Sequence, residues 1–563
     1  MGEHRRRLDE VRAQRSPLEN HLIDELREGR IGRREFIRRG TVVGMSVPLL
    51  GFIASACGVS REEIERKDPE QTGTPERGGT IRAGIIQPSG ALDPVTVADQ
   101  GGLGVLGQSG EYLIWSDREL KAQPRLAESW APSEGGRVWR FKIRQGVKFH
   151  DGTPMDAEDV AATFNRLADP DSGSNALSAL SGVLSKDSAK AIDPTTVEFQ
   201  LDAPNGNFPF LTSSDNYNAI ILPKDYDGDW EKTFIGTGPW KRSSFRPGEG
   251  VSYVPNREYW DKSRIPVSDE SEVRFYSTEQ SEVFGLLGNE VDILVQFSVA
   301  GGKALLTDPD IRTIELKSSA HRQVHMNNST EQFKDKRTRQ AVGLLVNRRD
   351  LVDGLLDTKA EYGNDSPFAP VFPSTVKEVE QRQQDVRKAK ELLAAAGQED
   401  GFRVQLDGWN GFEMPDLAQL IQQNVRQAGI TIDLSITDAA TYYGKATFGN
   451  SRWLDSAIGI TEYGHRGVPN VLLGAPLLSK GTWNGAHFKN PKYDDLVKDY
   501  TAAIDLQEQR RYARQIQELL LDETPILFPY FYYYLTGVKS DIANVDVTAM
   551  GHFDLSRAGR VKS

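Results

Sequence analysis

Residues 402–436 constrain the fold most. FRVQL alternates apolar and polar side chains as a half-buried strand does, and DGWNGFEMP is a loop. PDLAQLIQQNVRQAG carries helical spacing and stops at Gly429, after which ITIDLSI alternates again. A strand, a helix and a strand in so short a stretch leave the two strands parallel, joined by a right-handed crossover. The chain is therefore α/β here, and ligands of open α/β sheets gather beyond the carboxyl ends of the strands. That rule puts Trp409 and Asn410 on the expected binding side, Trp409 either as a contact or as packing. LDSAIGI, residues 454–460, reads as another strand that delivers TEYGHRGVPN into the same crevice.

Other elements are legible. Gly79 to Gly84 opens the folded body with a strand, and VWRFKIR, 138–144, alternates as a half-buried one. A helix is expected over 157–167, with Asp156 as N-cap and Glu158 and Asp159 in the first turn, where acids suit the helix dipole. Residues 338–356 and 385–397 have helical spacing, and Gly397 is a good stop. Gly236-Thr237-Gly238-Pro239 reads as a tight turn, since it lacks the Lys and the helix of a phosphate loop, and Phe149-His150-Asp151-Gly152 sits at a strand-to-turn step. The aromatic run from Phe528 to Tyr534 reads mostly as core strand.

The N-terminal region has a different character. Arg33, Arg34, Arg38 and Arg39 precede an uncharged run over 41–56, interrupted by Pro48, and Ala54-Ser55-Ala56 then leads into Cys57, the only cysteine. The run is shorter than the ~20 residues that span a bilayer. Basic segment, apolar segment, small residues is the layout of a secretory signal. Arg33-Arg34 followed by Glu35-Phe36-Ile37-Arg38 resembles the twin-arginine export motif, with Gly32 where Ser or Thr is usual. The approach to Cys57 resembles a lipoprotein lipobox, with Ala54 where Leu is usual. Residues 1–57 are thus expected to be the signal segment. Residues 58–78, polar, charged and holding several Gly and Pro, form a flexible tether.

The formal net charge is −12, and residues 1–56 carry 11 Arg against 8 Asp and Glu, so the remainder carries −15. That balance excludes nucleic acid as an expected partner. The 8 histidines show no HExxH-type spacing, so no metal site is expected.

PRLAESWAPSEGGRVWRFKIRQGVKFHDGTPMDAEDVAATFNRL, 124–167, strongly resembles the signature of the family 5 extracellular solute-binding proteins of ABC importers, the dipeptide, oligopeptide and nickel binders. GTGPW at 236–240, NREYW at 256–260, TRQAVGLLVNRRDLV at 338–352, the AKELLAAAG helix and TPILFPYFYYYL at 524–535 follow in the family's order. The resemblance implies a bilobed, periplasmic-binding-protein-like α/β fold of type II, cluster C, closing on its ligand as a hinged clamp. It places residues 79–110, 222–315 and 524–563 in lobe I, 111–221 in an inserted extra domain, and 316–523 in lobe II.

The family's peptide binders carry an Asp-Tyr pair whose acid meets the ligand's ammonium group, and Glu462-Tyr463 is the nearest match here. Gly464-His465-Arg466-Gly467-Val468-Pro469 replaces the usual Pro-Asp-Pro continuation and brings a cation to the same loop. The expected ligand set is therefore Trp409, Asn410, Glu462, Tyr463, His465 and Arg466, with Arg466 alternatively a salt bridge within the lobe. The resemblance implies a monomeric, extracytoplasmic protein without catalysis or cofactor. It would be tethered to the membrane by a lipid and deliver a peptide or small polar solute to an ABC permease and ATPase. A secreted hydrolase is the rival reading, for which no GxSxG elbow is present. A sensor component presenting ligand to a receptor is another.

Overall fold

The computed structural model describes residues 74–561. Arg33, Arg34, Cys57 and most of the expected tether lie outside them. Two mixed sheets organise the chain. The larger runs, edge to edge, through Ile311–Leu316, Tyr534–Lys539, Ile293–Phe297, Thr80–Ile86, Glu270–Tyr276, Gly250–Pro255 and Trp240–Arg246. The second has six strands in the order Ala360–Tyr362, Ile526–Tyr532, His321–Met326, Ile458–Tyr463, Arg403–Trp409 and Thr431–Thr437.

The strand-helix-strand unit lies at the edge of the six-stranded sheet, its strands parallel with Arg403 opposite Thr431 and Trp409 opposite Thr437. Its helix, Met414–Arg426, buries Leu417, Ala418, Ile421 and Val425 at three- and four-residue spacing. Each such Leu, Ile or Val contributes about 1.5–3 kcal/mol. The next strand begins at Ile458, not at 454, so Glu462 and Tyr463 are part of it and not of the loop beyond. Expected helix 157–167 forms as Ala157–Leu167, with Asp156 and Asp159 completing a reciprocal capping box. The run 338–356 breaks in two. A helix ends at Leu345, Val346 is extended, and a wider π turn covers Asp350–Leu355. The break is tertiary in origin, because the Asn347 N–H is taken by the Asn424 side chain of the neighbouring helix.

The chain crosses between the sheets twice, from Leu316 to His321 through residues 317–320, and back from Tyr532 to Tyr534 through Tyr533 alone. The crossings are stitched together, the Tyr532 N–H donating to Ala320 O at 3.0 Å and Ser318 Oγ to Tyr532 O. The expected division placed 524–563 wholly in one lobe. Strand Ile526–Tyr532 instead belongs to the six-stranded sheet, and the boundary falls at Tyr533.

Residues 127–200 contain a four-stranded antiparallel sheet of their own. It has no separate core: Phe141, Phe164 and Phe199 join one apolar cluster with Ile81, Ala83 and Val273 of the seven-stranded sheet. The two turns read from FHDG and GTGP bind each other, His150 N–H donating to Gly236 O and the His150 Nε2 lying against Gly238 O, both at 2.9 Å.

Candidate functional site at the carboxyl ends of the second-lobe strands

Trp409 closes its strand half-buried, with Asn410 exposed beside it and tied to the sheet by its N–H to Thr437 O at 2.7 Å. The chain then turns through Phe412, which has a φ of 49° and is 52% exposed. Glu413 precedes the helix Met414–Arg426. The Trp409 ring stands edge-on to Phe412 at 5.8 Å and to Tyr443 at 6.3 Å. One strand over, Glu462 projects at the same level, its N–H reaching the Tyr443 hydroxyl at 3.5 Å.

The centre of this site is a residue the sequence did not announce. Arg322 sits directly opposite Glu462 on the antiparallel strand His321–Met326, so the two side chains share a face. Arg322 is 3% exposed. Its Nη1 lies 3.3 Å from Glu462 Oε2 and its Nε 3.1 Å from Glu413 Oε1. Tyr530 donates its hydroxyl to Glu413 Oε1 at 2.9 Å. The guanidinium plane rests over the Tyr532 ring at 4.5 Å and the Phe412 ring at 5.0 Å. An arginine out of water is stable only if paired and hydrogen-bonded, and its flat cation suits aromatic faces. Two carboxylates around one cation leave the cluster at −1. Glu413 is buried, whereas the Glu462 side chain keeps 33% of its surface exposed. Burial still pushes the Glu462 carboxyl above the ordinary range, with Arg322 opposing and Glu413 adding. Glu462 is thus the more open carboxyl of the cluster, on the side of Trp409, Phe412 and Tyr443.

The rest of the expected set turns toward the crossover. Tyr463 is buried between the rings of His321 at 5.5 Å and Trp483 at 5.8 Å. His465 is buried, and its Nδ1 accepts from the Ser319 N–H at 3.0 Å. Burial pushes His465 down to about 3, so it is a neutral hinge residue at working pH. Ser319 Oγ donates to Arg466 O at 2.9 Å and accepts from Arg466 N–H at 2.8 Å. The structure therefore separates the six residues: Trp409, Asn410 and Glu462 stand at the strand ends, and Tyr463, His465 and the Arg466 backbone pack against His321 and Ser319 at the crossover. The Arg466 guanidinium bonds His465 O at 3.0 Å and has no carboxylate at ion-pair distance among the described residues.

A sequence profile described as bacterial extracellular solute-binding proteins, family 5, matches residues 121–461. The chain belongs to this family. Among relatives of the family 5 protein, the oligopeptide-binding protein AppA of Bacillus subtilis is 23% identical over 524 residues, covering 88% of this chain and 94% of AppA. Heme-binding protein A of Haemophilus influenzae is 25% identical over 435 residues, covering 72% of this chain and 78% of that protein. In three dimensions the family 5 chain is similar to the ABC transporter substrate-binding protein CtaP of Listeria monocytogenes. The TM-score is 0.75 at 21% identity, over 86% of this chain and all of CtaP.

Proposed function

We propose that this family 5 protein is the extracytoplasmic substrate-binding component of an ABC importer, without catalysis of its own. On this reading it captures a small polar solute, a peptide or a molecule of similar size, between its lobes and hands it to a permease. The observation that carries the specificity is the Glu413–Arg322–Glu462 cluster at the carboxyl ends of parallel strands. Its net negative charge, presented at Glu462 next to three aromatic rings, suits a ligand bearing one cationic group. Relatives named for oligopeptides and for heme support a binding role while leaving the solute to this chain's own residues.

Mass spectrometry of the small molecule that copurifies with the full chain, followed by calorimetry with that molecule, tests the reading. Glu462→Gln should weaken binding about tenfold or more, at ~1.4 kcal/mol per decade. Unchanged affinity in a folded Glu462→Gln protein moves the recognition site elsewhere.

A further inference from the structure

The lobes also meet away from the backbone crossovers, at a seam of unusual construction. A hairpin pairs Ile114–Ser116 with Ala122–Pro124, and its turn is held by Asp117, which accepts from the Glu119 and Lys121 N–H groups at 3.0 and 2.9 Å. Arg118 fastens this turn to the first lobe by donating to Val547 O and Val545 O at 3.0 and 3.2 Å. Leu120 at the tip has a φ of 57°, a region a leucine rarely adopts. Its side chain is 5% exposed and belongs to an apolar cluster whose every other buried member lies between Phe368 and Phe531, in the second lobe.

Polar groups extend the seam, Gln509 Nε2 donating to Asn207 Oδ1 at 3.0 Å among them. Asn207 Nδ2 donates to Asn470 Oδ1 at 2.8 Å, and the Gly206 N–H to Thr501 O at 2.9 Å. Asp215 Oδ2, buried and without a hydrogen-bond partner, lies 1.6 Å from where a Cβ on Gly467 would stand. Only glycine at 467 lets the carboxylate approach so closely. Gly206 has the same property, its Cβ position falling 2.0 Å from Ala503 O.

A seam made of one leucine, a few loop bonds, two glycine notches and an unsatisfied carboxylate lacks the broad apolar packing of either lobe's core. Such contacts break locally without unfolding what they join. We propose that this seam is the latch of the clamp: Leu120 leaves its second-lobe socket when the lobes part, and it returns, with Asp215 entering the Gly467 notch, when they close. The inference rests on the two lobes forming a hinged clamp and names the residues that hold it shut.

Thiol reactivity reads the motion without a ligand. In the full chain carrying Cys57→Ser, Leu120→Cys leaves one thiol at the latch, and Leu126→Cys leaves one in the first-lobe core, where Leu126 is wholly buried. Under native conditions iodoacetamide should modify position 120 at least about tenfold faster than position 126. Hydrogen exchange on the unsubstituted chain gives a second reading: the amide of Gly206 should exchange at least about tenfold faster than those of Val138–Ile143. Equal protection of latch and core in the two measurements shows a welded seam and overturns the proposal. Failure of the clamp itself appears differently, as small-angle scattering that does not change when the copurified solute is added.

Discussion

Replacing Asp215 by asparagine removes one buried charge from between the lobes while keeping the side chain's shape. Burial pushes this carboxyl from 3.8 up to about 7, against the opposing influence of the nearby Ser116 hydroxyl and of Arg466, with Asp117 adding to the rise. A carboxyl whose folded value is raised keeps its proton in the folded protein at pH values where the unfolded chain has lost it. Its contribution to stability is therefore complete below about pH 4 and is lost as pH climbs through about 7. Between pH 5 and pH 8 only the stretch from 5 to about 7 is traversed, which at 1.36 kcal/mol per pH unit sets a ceiling of ~3 kcal/mol. Relaxation of the surroundings toward a higher effective dielectric brings the expectation to ~1–3 kcal/mol. Urea denaturation of the wild-type and Asp215→Asn proteins at pH 5 and pH 8 measures it, and the variant should gain that amount on the wild type between the two conditions. Glu282, pushed up to about 8 by burial, titrates alike in both proteins and cancels. A stability difference that is the same at both pH values refutes the argument, because it means Asp215 titrates as an ordinary surface acid.

Arg322→Met leaves Glu413 and Glu462 without their shared cation and should cost about 3–5 kcal/mol in thermal or urea unfolding. Adding Glu413→Gln to it should recover part of that loss, and a variant as stable as the wild type contradicts the buried cluster. For export, Arg33→Lys with Arg34→Lys should leave precursor in the cytoplasm, and normal export of the double variant removes the twin-arginine reading. For anchoring, Cys57→Ser should release soluble extracytoplasmic protein. A mutant that fractionates with membranes after signal cleavage speaks against a lipid on that sulfur.

What the sequence disclosed was local. FRVQL and ITIDLSI alternate because one face of each strand meets helix Met414–Arg426, and Asp156 announces its helix because a cap acts within three residues. Glu462 was singled out because a short motif carried it. Arg322 was hidden for the opposite reason. HRQVHM reads as a polar, exposed stretch, yet all six residues are buried, since this strand has neighbours on both edges, Val324 and Met326 join an apolar core, and His321 packs against Tyr463, Phe528 and Phe531. Its partners Glu413 and Glu462 lie 91 and 140 positions away, and no periodicity links residues so far apart. Glu413 lay within the loop DGWNGFEMP, with nothing to single it out. His465 misled in the other direction, because a histidine in a polar loop gives no sign that Ser319 of the crossover will claim it.

The single-residue return through Tyr533 bears on how this protein comes to exist at all. Strands Ile526–Tyr532 and Tyr534–Lys539 each take the second place in their sheets, between an edge strand and the rest. Neither sheet is complete without its strand from this stretch, so both lobes depend on one late segment of the chain. A chain clipped before Ile526 loses an interior strand from each sheet at once.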